Sequence, residues 1–178
     1  MNCDFSLVKP DETYLTAIGE YRRDFIASGD ALGHGDCALQ HFDDLAEWLA
    51  YNRALENHEN SESSWKEFDQ YLYVRKGDGR VIGMINYRRA DNDEKLADYA
   101  GEIGYVVRPS ERDKGHAKAM LAQCLARCFE CGIAEIVIAC NKDNTASKRV
   151  IAACGGVFER GSAEDQGVER YTINRKRG

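Results

Sequence analysis

The chain has 178 residues, 43% of them apolar and 30% charged, with only two prolines. That is the make-up of an ordered globular chain, and the length suits one domain. A formal net charge of -6 argues against broad nucleic-acid binding, which needs a basic surface, and no apolar stretch approaches the roughly 18 residues of a membrane span.

Residues 5–8 form a first strand candidate, punctuated by Pro10. Residues 14–26 carry Leu15, Ile18, Tyr21 or Arg22, and Phe25 at helical spacing, so an amphipathic helix is expected. A glycine-rich loop follows over 29–35. A second helix is expected over 41–55, with Phe42, Leu45, Ala46 and Leu49 on its apolar side. Residues 57–64 are polar and read as an exposed loop.

Residues 70–75 and 81–88 flank Gly77-Asp78-Gly79 and predict a hairpin. Residues 90–95 are turn-like. A longer strand over 98–108 stops at Pro109, and a helix over 115–131 follows. The nearly continuous apolar run 133–140 predicts a strand covered on both faces. A helix over 144–154 ends at Gly155-Gly156, where a left-handed cap is available. Strands over 157–160 and 169–173 complete the chain. The order predicts an α/β fold with a mixed sheet, its middle crossover covering a sheet face.

Charge is distributed unevenly. Between Asp30 and Asp69 ten acids face only Arg53 and Lys66. A solvated acidic face and a surface attracting a cationic substrate both fit this. The seven cysteines are odd in number, and the N-terminus lacks a basic region followed by an apolar run. Free thiols in a reducing compartment, the cytoplasm, are therefore expected. Cys124, Cys128 and Cys131 lie along one helix flank beside Met120, Leu121 and Leu125. They read as buried small hydrophobes rather than as a metal site.

The densest chemistry lies in RPSERDKGHAKAM, residues 108–120. A helix start presents unpaired N–H groups that favour an anion such as phosphate. Gly115 lets a ligand approach the backbone, Ala117 is small, and Arg108, Arg112, Lys114 and Lys118 can add charged contacts. A charged, solvated turn is the simpler alternative. No Walker or dinucleotide fingerprint is present.

Residues 112–117, Arg-Asp-Lys-Gly-His-Ala, resemble the Arg/Gln-x-x-Gly-x-Gly/Ala signature of the GCN5-related N-acetyltransferase (GNAT) superfamily. GEIGYVVRPSERDKGHAKAML (101–121) is similar to that family's central strand, pyrophosphate loop and helix. CNKDNTASKRVIAACGGVFE (140–159) is similar to its next strand end and helix. ERYTI (169–173) looks like the last strand of a bacterial predicted-acetyltransferase branch. The blocks fall in the family's order over most of residues 70–174; the first 65 residues match less distinctly.

The resemblance implies the GNAT acyl-CoA N-acyltransferase fold, with splayed central strands and flanking helices. It implies one acetyltransferase domain over 1–178, with acceptor-side helices over about 11–65 and an acetyl-CoA-binding core over about 70–174. Acetyl-CoA is the implied cosubstrate. Its diphosphate would meet Arg112, Asp113, Lys114, Gly115, His116 and Ala117. Its pantetheine arm would run beside Val106, Val107 and Arg108. Asn144 matches a position that contacts the arm, with Ser147 one turn onward, although Asn144 also reads as a helix cap.

The implied reaction is direct acetyl transfer to a primary amine of a small molecule or peptide, with no nucleic acid or membrane partner. A homodimer is compatible with the resemblance. Glu102 is the candidate general base, and strict alternation would put it on one face with Gly104 and Val106. Where many members of the family carry an acid tyrosine, this chain has Ile151. Tyr105, Tyr171, Cys140 or water could take the role. A protein that binds acetyl-CoA without transferring from it is the alternative.

Overall fold

The computed structural model describes residues 4–33, 35–57, 65–90, 101–161 and 167–175. The hairpin of β2 (Trp65–Arg75) and β3 (Val81–Ala90) organises the first sheet, with Leu72 opposite Met84 and Gln70 opposite Asn86. β1 (Phe5–Val8) pairs with β2, and β4 (Ile103–Val107) pairs with β3, giving an antiparallel order β1-β2-β3-β4. A second antiparallel sheet has the order β5-β7-β6, from β5 (Glu135–Asn141), β6 (Val157–Gly161) and β7 (Val168–Asn174).

Alternation along the first sheet assigns its two faces to two cores. Leu72, Val74 and Met84 pack on α1 (Leu15–Ser28) and α2 (Leu45–Glu56), through Ile18, Tyr21, Phe25, Trp48 and Leu49. Tyr73, Ile85, Ile103 and Val107 face the other way and pack on α3 (His116–Glu130) through Met120, Leu121 and Leu125. β5 and Ile151 of α4 (Thr145–Ala153) join this second core.

β4 and β5 do not form a ladder. They meet at Glu102, whose amide donates to the Val137 carbonyl at 2.7 Å while its carboxylate accepts the Val137 amide at 2.7 Å. One residue thus engages both backbone groups of Val137 and closes one end of a fork.

Several elements differ from the expectation. α2 begins at Leu45 because Asp44 caps it, its side chain accepting from the Ala46 amide at 2.8 Å. Its fully buried face is Trp48, Leu49, Asn52 and Leu55, while the expected Phe42 and Leu45 are partly buried against the same core and Ala46 is exposed. The reason is polar as well as apolar: Trp48 Nε1 donates to the carbonyls of Asp36 and Cys37, each at 3.1 Å. β2 starts five residues before the expected strand. β5 alternates instead of being covered on both faces: Ile136 and Ile138 are buried, Val137 and Ala139 only partly, and Glu135 is exposed. Cys124 and Cys128 are buried as expected, whereas Cys131 is exposed. The expected exposed loop 57–64, after Asn57, and the turn 90–95, after Ala90, lie outside the described residues. Among the described residues no helix is long and apolar enough to cross a membrane.

Candidate active site

α3 starts without a side-chain cap. Its N-cap, Gly115, has φ +81°, and a β-carbon there would meet nothing within 4 Å. The first N–H groups of α3 therefore open into a groove of about 590 Å3. The groove runs from Tyr105, Val106 and Val107 on β4, past the 112–118 turn, to Asn144, Ser147 and Val150 on α4. Asp113, just before the glycine, is also left-handed, with φ +61°. Left-handed backbone at these two positions turns the chain sharply into α3.

The basic residues of the turn divide into two groups. Arg108 is buried, with Nε 2.6 Å from Asp24 and Nη1 donating to the Val81 carbonyl at 3.0 Å. It ties the end of β4 to α1 and does not line the groove. Lys114 is also outside the lining, its ammonium 2.8 Å from Glu111. Arg112 lines the groove but is paired with Asp30 at 2.5 Å, while its Nε donates to the Val107 carbonyl at 3.2 Å. Lys118 and Arg149 line the groove with no ion-pair partner among the described residues.

Glu111 organises the turn from beneath. It is 5% exposed and faces Lys114, Arg80 at 3.4 Å and Arg75 at 3.5 Å. The Lys114 hydrogen bond, outweighing burial, holds its carboxyl below the usual range. His116 packs tilted against Phe5, with ring centroids 4.8 Å apart, and burial pushes its pKa down.

The remaining candidates fall in three places. Asn144 caps α4, accepting the Ser147 amide at 3.0 Å, and still lines the groove. Tyr105 reaches into the groove, its hydroxyl 2.6 Å from Ser147 Oγ. Burial, opposed by that hydrogen bond, pushes the phenol up to about 12. Tyr171 is elsewhere: it is buried against Phe158 and donates to Glu169 at 2.7 Å. Glu102 lies outside the groove at the closed end of the fork. Burial raises its pKa and the Val137 amide opposes that rise. Its carboxylate lies between β4 and β5, not on a face shared with Gly104 as strict alternation would place it. Ile151 is fully buried and offers no polar group.

The sequence reading did not select Glu111, Arg149 or Val150. Glu111 carried a signal, since an acid within a basic turn is a natural partner for it. Arg149 carried none, because only the meeting of α4 with the 112–118 turn brings it to the groove.

The groove, the uncapped helix start and the fork adjoin one another along β4. The description "Acetyltransferase (GNAT) domain" matches residues 35–157, more than half of the chain. The chain belongs to this family: it is an acetyltransferase that takes its acetyl group from acetyl-CoA and passes it to an amine acceptor.

Solved structures agree in fold. An acetyltransferase from Salmonella typhimurium that modifies the N-terminal serine of the 50S ribosomal subunit protein L7/L12 is 18% identical, over 98% of this chain and 97% of that one, with a TM-score of 0.68. The microcin C7 self-immunity acetyltransferase MccE, solved with acetyl-CoA and AMP, is 16% identical over 98% and 94%, with a TM-score of 0.68. A spermidine N-acetyltransferase from Vibrio cholerae is 16% identical over 97% and 95%, with a TM-score of 0.64. No curated protein matches the chain.

Proposed function

We propose that the chain transfers acetyl directly from acetyl-CoA to a primary amine of a small molecule or peptide, the thioester lying in the fork between β4 and β5. The observation that carries this reading is the continuity of the groove from the uncapped start of α3 to Tyr105 beside the fork. The diphosphate is received by the turn amides around Gly115, supported by Lys118 and Arg149. The pantetheine arm follows Val106 and Val107 toward Tyr105.

An alkylammonium has a reference pKa near ~10.4 and must lose a proton before attack. Glu102 is our candidate acceptor, through water. The Val137 amide holds Oε2, leaving Oε1 as the proton-accepting oxygen. The amine nitrogen then attacks the thioester carbon, the tetrahedral intermediate collapses, and the sulfur leaves as thiolate. Tyr105 answers the loss of the family tyrosine at Ile151. A phenol raised to about 12 keeps its proton against a thiol of reference pKa near ~8.5. It therefore stabilises the departing sulfur by donating a hydrogen bond, with Ser147 Oγ fixing its hydroxyl, and solvent completes protonation.

Helices α1 and α2 form the acceptor side and residues from about 70 onward the acetyl-CoA side of one domain. We place the protein in the cytoplasm from its cysteine usage. Thiol release from acetyl-CoA over a panel of amines tests the activity. Glu102→Gln keeps an oxygen for the Val137 amide but cannot take a proton. It should lower kcat by about a hundredfold with acetyl-CoA affinity unchanged. Full activity would remove Glu102 as the base. Binding of acetyl-CoA with no transfer to any amine would favour the non-catalytic alternative that Ile151 raises.

A further inference from the structure

Among the cations of the 112–118 turn, Arg112 both lines the groove and is already engaged by an acid. Its Nη1 lies 2.5 Å from Asp30 Oδ2, and its Nε donates to the Val107 carbonyl at 3.2 Å. The guanidinium carbon lies 5.8 Å from the centre of the Phe25 ring of α1, and Nη2 has no hydrogen-bond partner among the described residues. The Val107 carbonyl and the Phe25 ring hold the guanidinium at the end of β4 independently of Asp30.

Asp30 reaches the turn from a distant part of the chain. It follows Gly29, which ends α1 in the left-handed region at φ +72°, and its carboxylate has no cation other than Arg112 among the described residues. The pair is open to water on both sides, with 44% of the Arg112 side chain and 42% of that of Asp30 exposed. Such a pair is weak. A diphosphate brings two anionic groups whose oxygens match the planar fork of a guanidinium, so it can engage Nη1 and the vacant Nη2 together. While Asp30 stays in place, its carboxylate cancels the charge of Arg112 and repels the incoming anion. Asp113 also lines the groove, but no ion pair joins it to Arg112 among the described residues. Its field acts on an anion whether or not Arg112 is present, whereas that of Asp30 acts through the guanidinium.

We propose that Asp30 is a built-in counter-ion of the cosubstrate site, an autoinhibitory contact that the diphosphate of acetyl-CoA displaces from Arg112. In the free protein the contact ties the residues after α1 to the turn. With the cosubstrate bound, Arg112 gives Nη1 and Nη2 to the diphosphate while Nε stays on the Val107 carbonyl, and Asp30 is released to solvent. The assignment deepens the acetyltransferase reading and rests on its placing of the diphosphate at the turn. It links occupancy of the groove to the chain segment that follows α1.

The test is calorimetry of the full chain with coenzyme A and with dephospho-coenzyme A, which keeps the diphosphate and lacks the 3′-phosphate. Asp30→Asn should tighten both about threefold, because the guanidinium is then free of an exposed competitor. Arg112→Gln should weaken both about fivefold. Asp30→Asn added to Arg112→Gln should then change either affinity by less than about 1.5-fold, since the group through which it acts is gone. A gain seen with coenzyme A but not with dephospho-coenzyme A would put Arg112 at the 3′-phosphate and overturn the proposal. If both ligands bind and Asp30→Asn leaves the affinities unchanged, weakens them, or tightens them equally with and without Arg112, the counter-ion is overturned and the groove assignment stands. If neither ligand binds the unaltered chain, the groove assignment falls and the counter-ion with it.

Discussion

The two faces of β4 bear opposite electrostatic solutions. On the Tyr105 side, the groove is built in a basic segment, yet Arg108, Arg112 and Lys114 are tied to Asp24, Asp30 and Glu111. Lys118 and Arg149 line it without an ion-pair partner among the described residues. On the Gly104 side, Asp36 comes from the acid-rich segment and is buried with its carboxylate held by backbone amides, no cation being paired with it among the described residues. Much of that segment is neutralised or used locally: Asp44 caps α2, Asp30 meets Arg112, and Glu56 and Asp69 meet Lys9. The field inside a site thus depends on which charges lack partners, and not on how many of one sign the nearby sequence carries.

The largest effect that would sharpen this contrast concerns Asp36. Burial, opposed by backbone hydrogen bonds, raises its pKa from 3.8 to about 6. A carboxyl whose pKa is higher in the folded state contributes stability that is fully present below pH 3.8 and lost as pH rises through about 6. The amplitude is about 3 kcal/mol. Urea unfolding at pH 3.5 and 7.5 should show Asp36→Asn flattening this slope. An identical slope in the variant would mean that Asp36 is not held against its charge.

On the groove side, reversing Lys118 and Arg149 together should weaken acetyl-CoA binding by roughly thirtyfold in calorimetry, as two partly exposed charge-assisted contacts are lost. Lys114→Ala should change it by less than about threefold, because that ammonium is occupied by Glu111. Equal losses from both would break the division between paired and unpaired cations. A smaller change is expected at the shared strand. Tyr105→Phe should lower kcat by about tenfold without weakening acetyl-CoA binding, since it removes one hydrogen bond to a leaving group that is already stable. Stopped-flow release of the thiol separates that effect from binding. An unchanged rate would remove Tyr105 from the chemistry.

The elements that held from sequence to structure are those written in local pattern. The apolar spacing of Ile18, Tyr21 and Phe25 yielded α1, glycines placed the hairpin turn and the start of α3, and Asn144 and Gly155 bound α4 at its two ends. Where an inward residue was polar or aromatic, local pattern misled. Trp48 and Asn52 took the buried face of α2 because carbonyls awaited them: those of Asp36 and Cys37 for the indole, and that of Trp48 itself for the Asn52 amide. The site divides likewise. The left-handed turn into α3 at Gly115 was legible because it follows from a short contiguous motif. Arg149 was not, since it acquires its place from elements distant in the chain.

By itself the sequence determined the periodicities, the caps and the contiguous turn, because these follow from the backbone's short-range hydrogen bonds and the spacing of apolar side chains. Only the tertiary structure decided which cations are tied up in ion pairs, that Glu102 closes the fork through Val137, and that Asn86 is buried with Oδ1 lacking a hydrogen-bond partner among the described residues. Ion pairing, desolvation and hydrogen-bond satisfaction depend on distances of a few ångströms between residues tens of positions apart, and those distances exist only once the chain has packed.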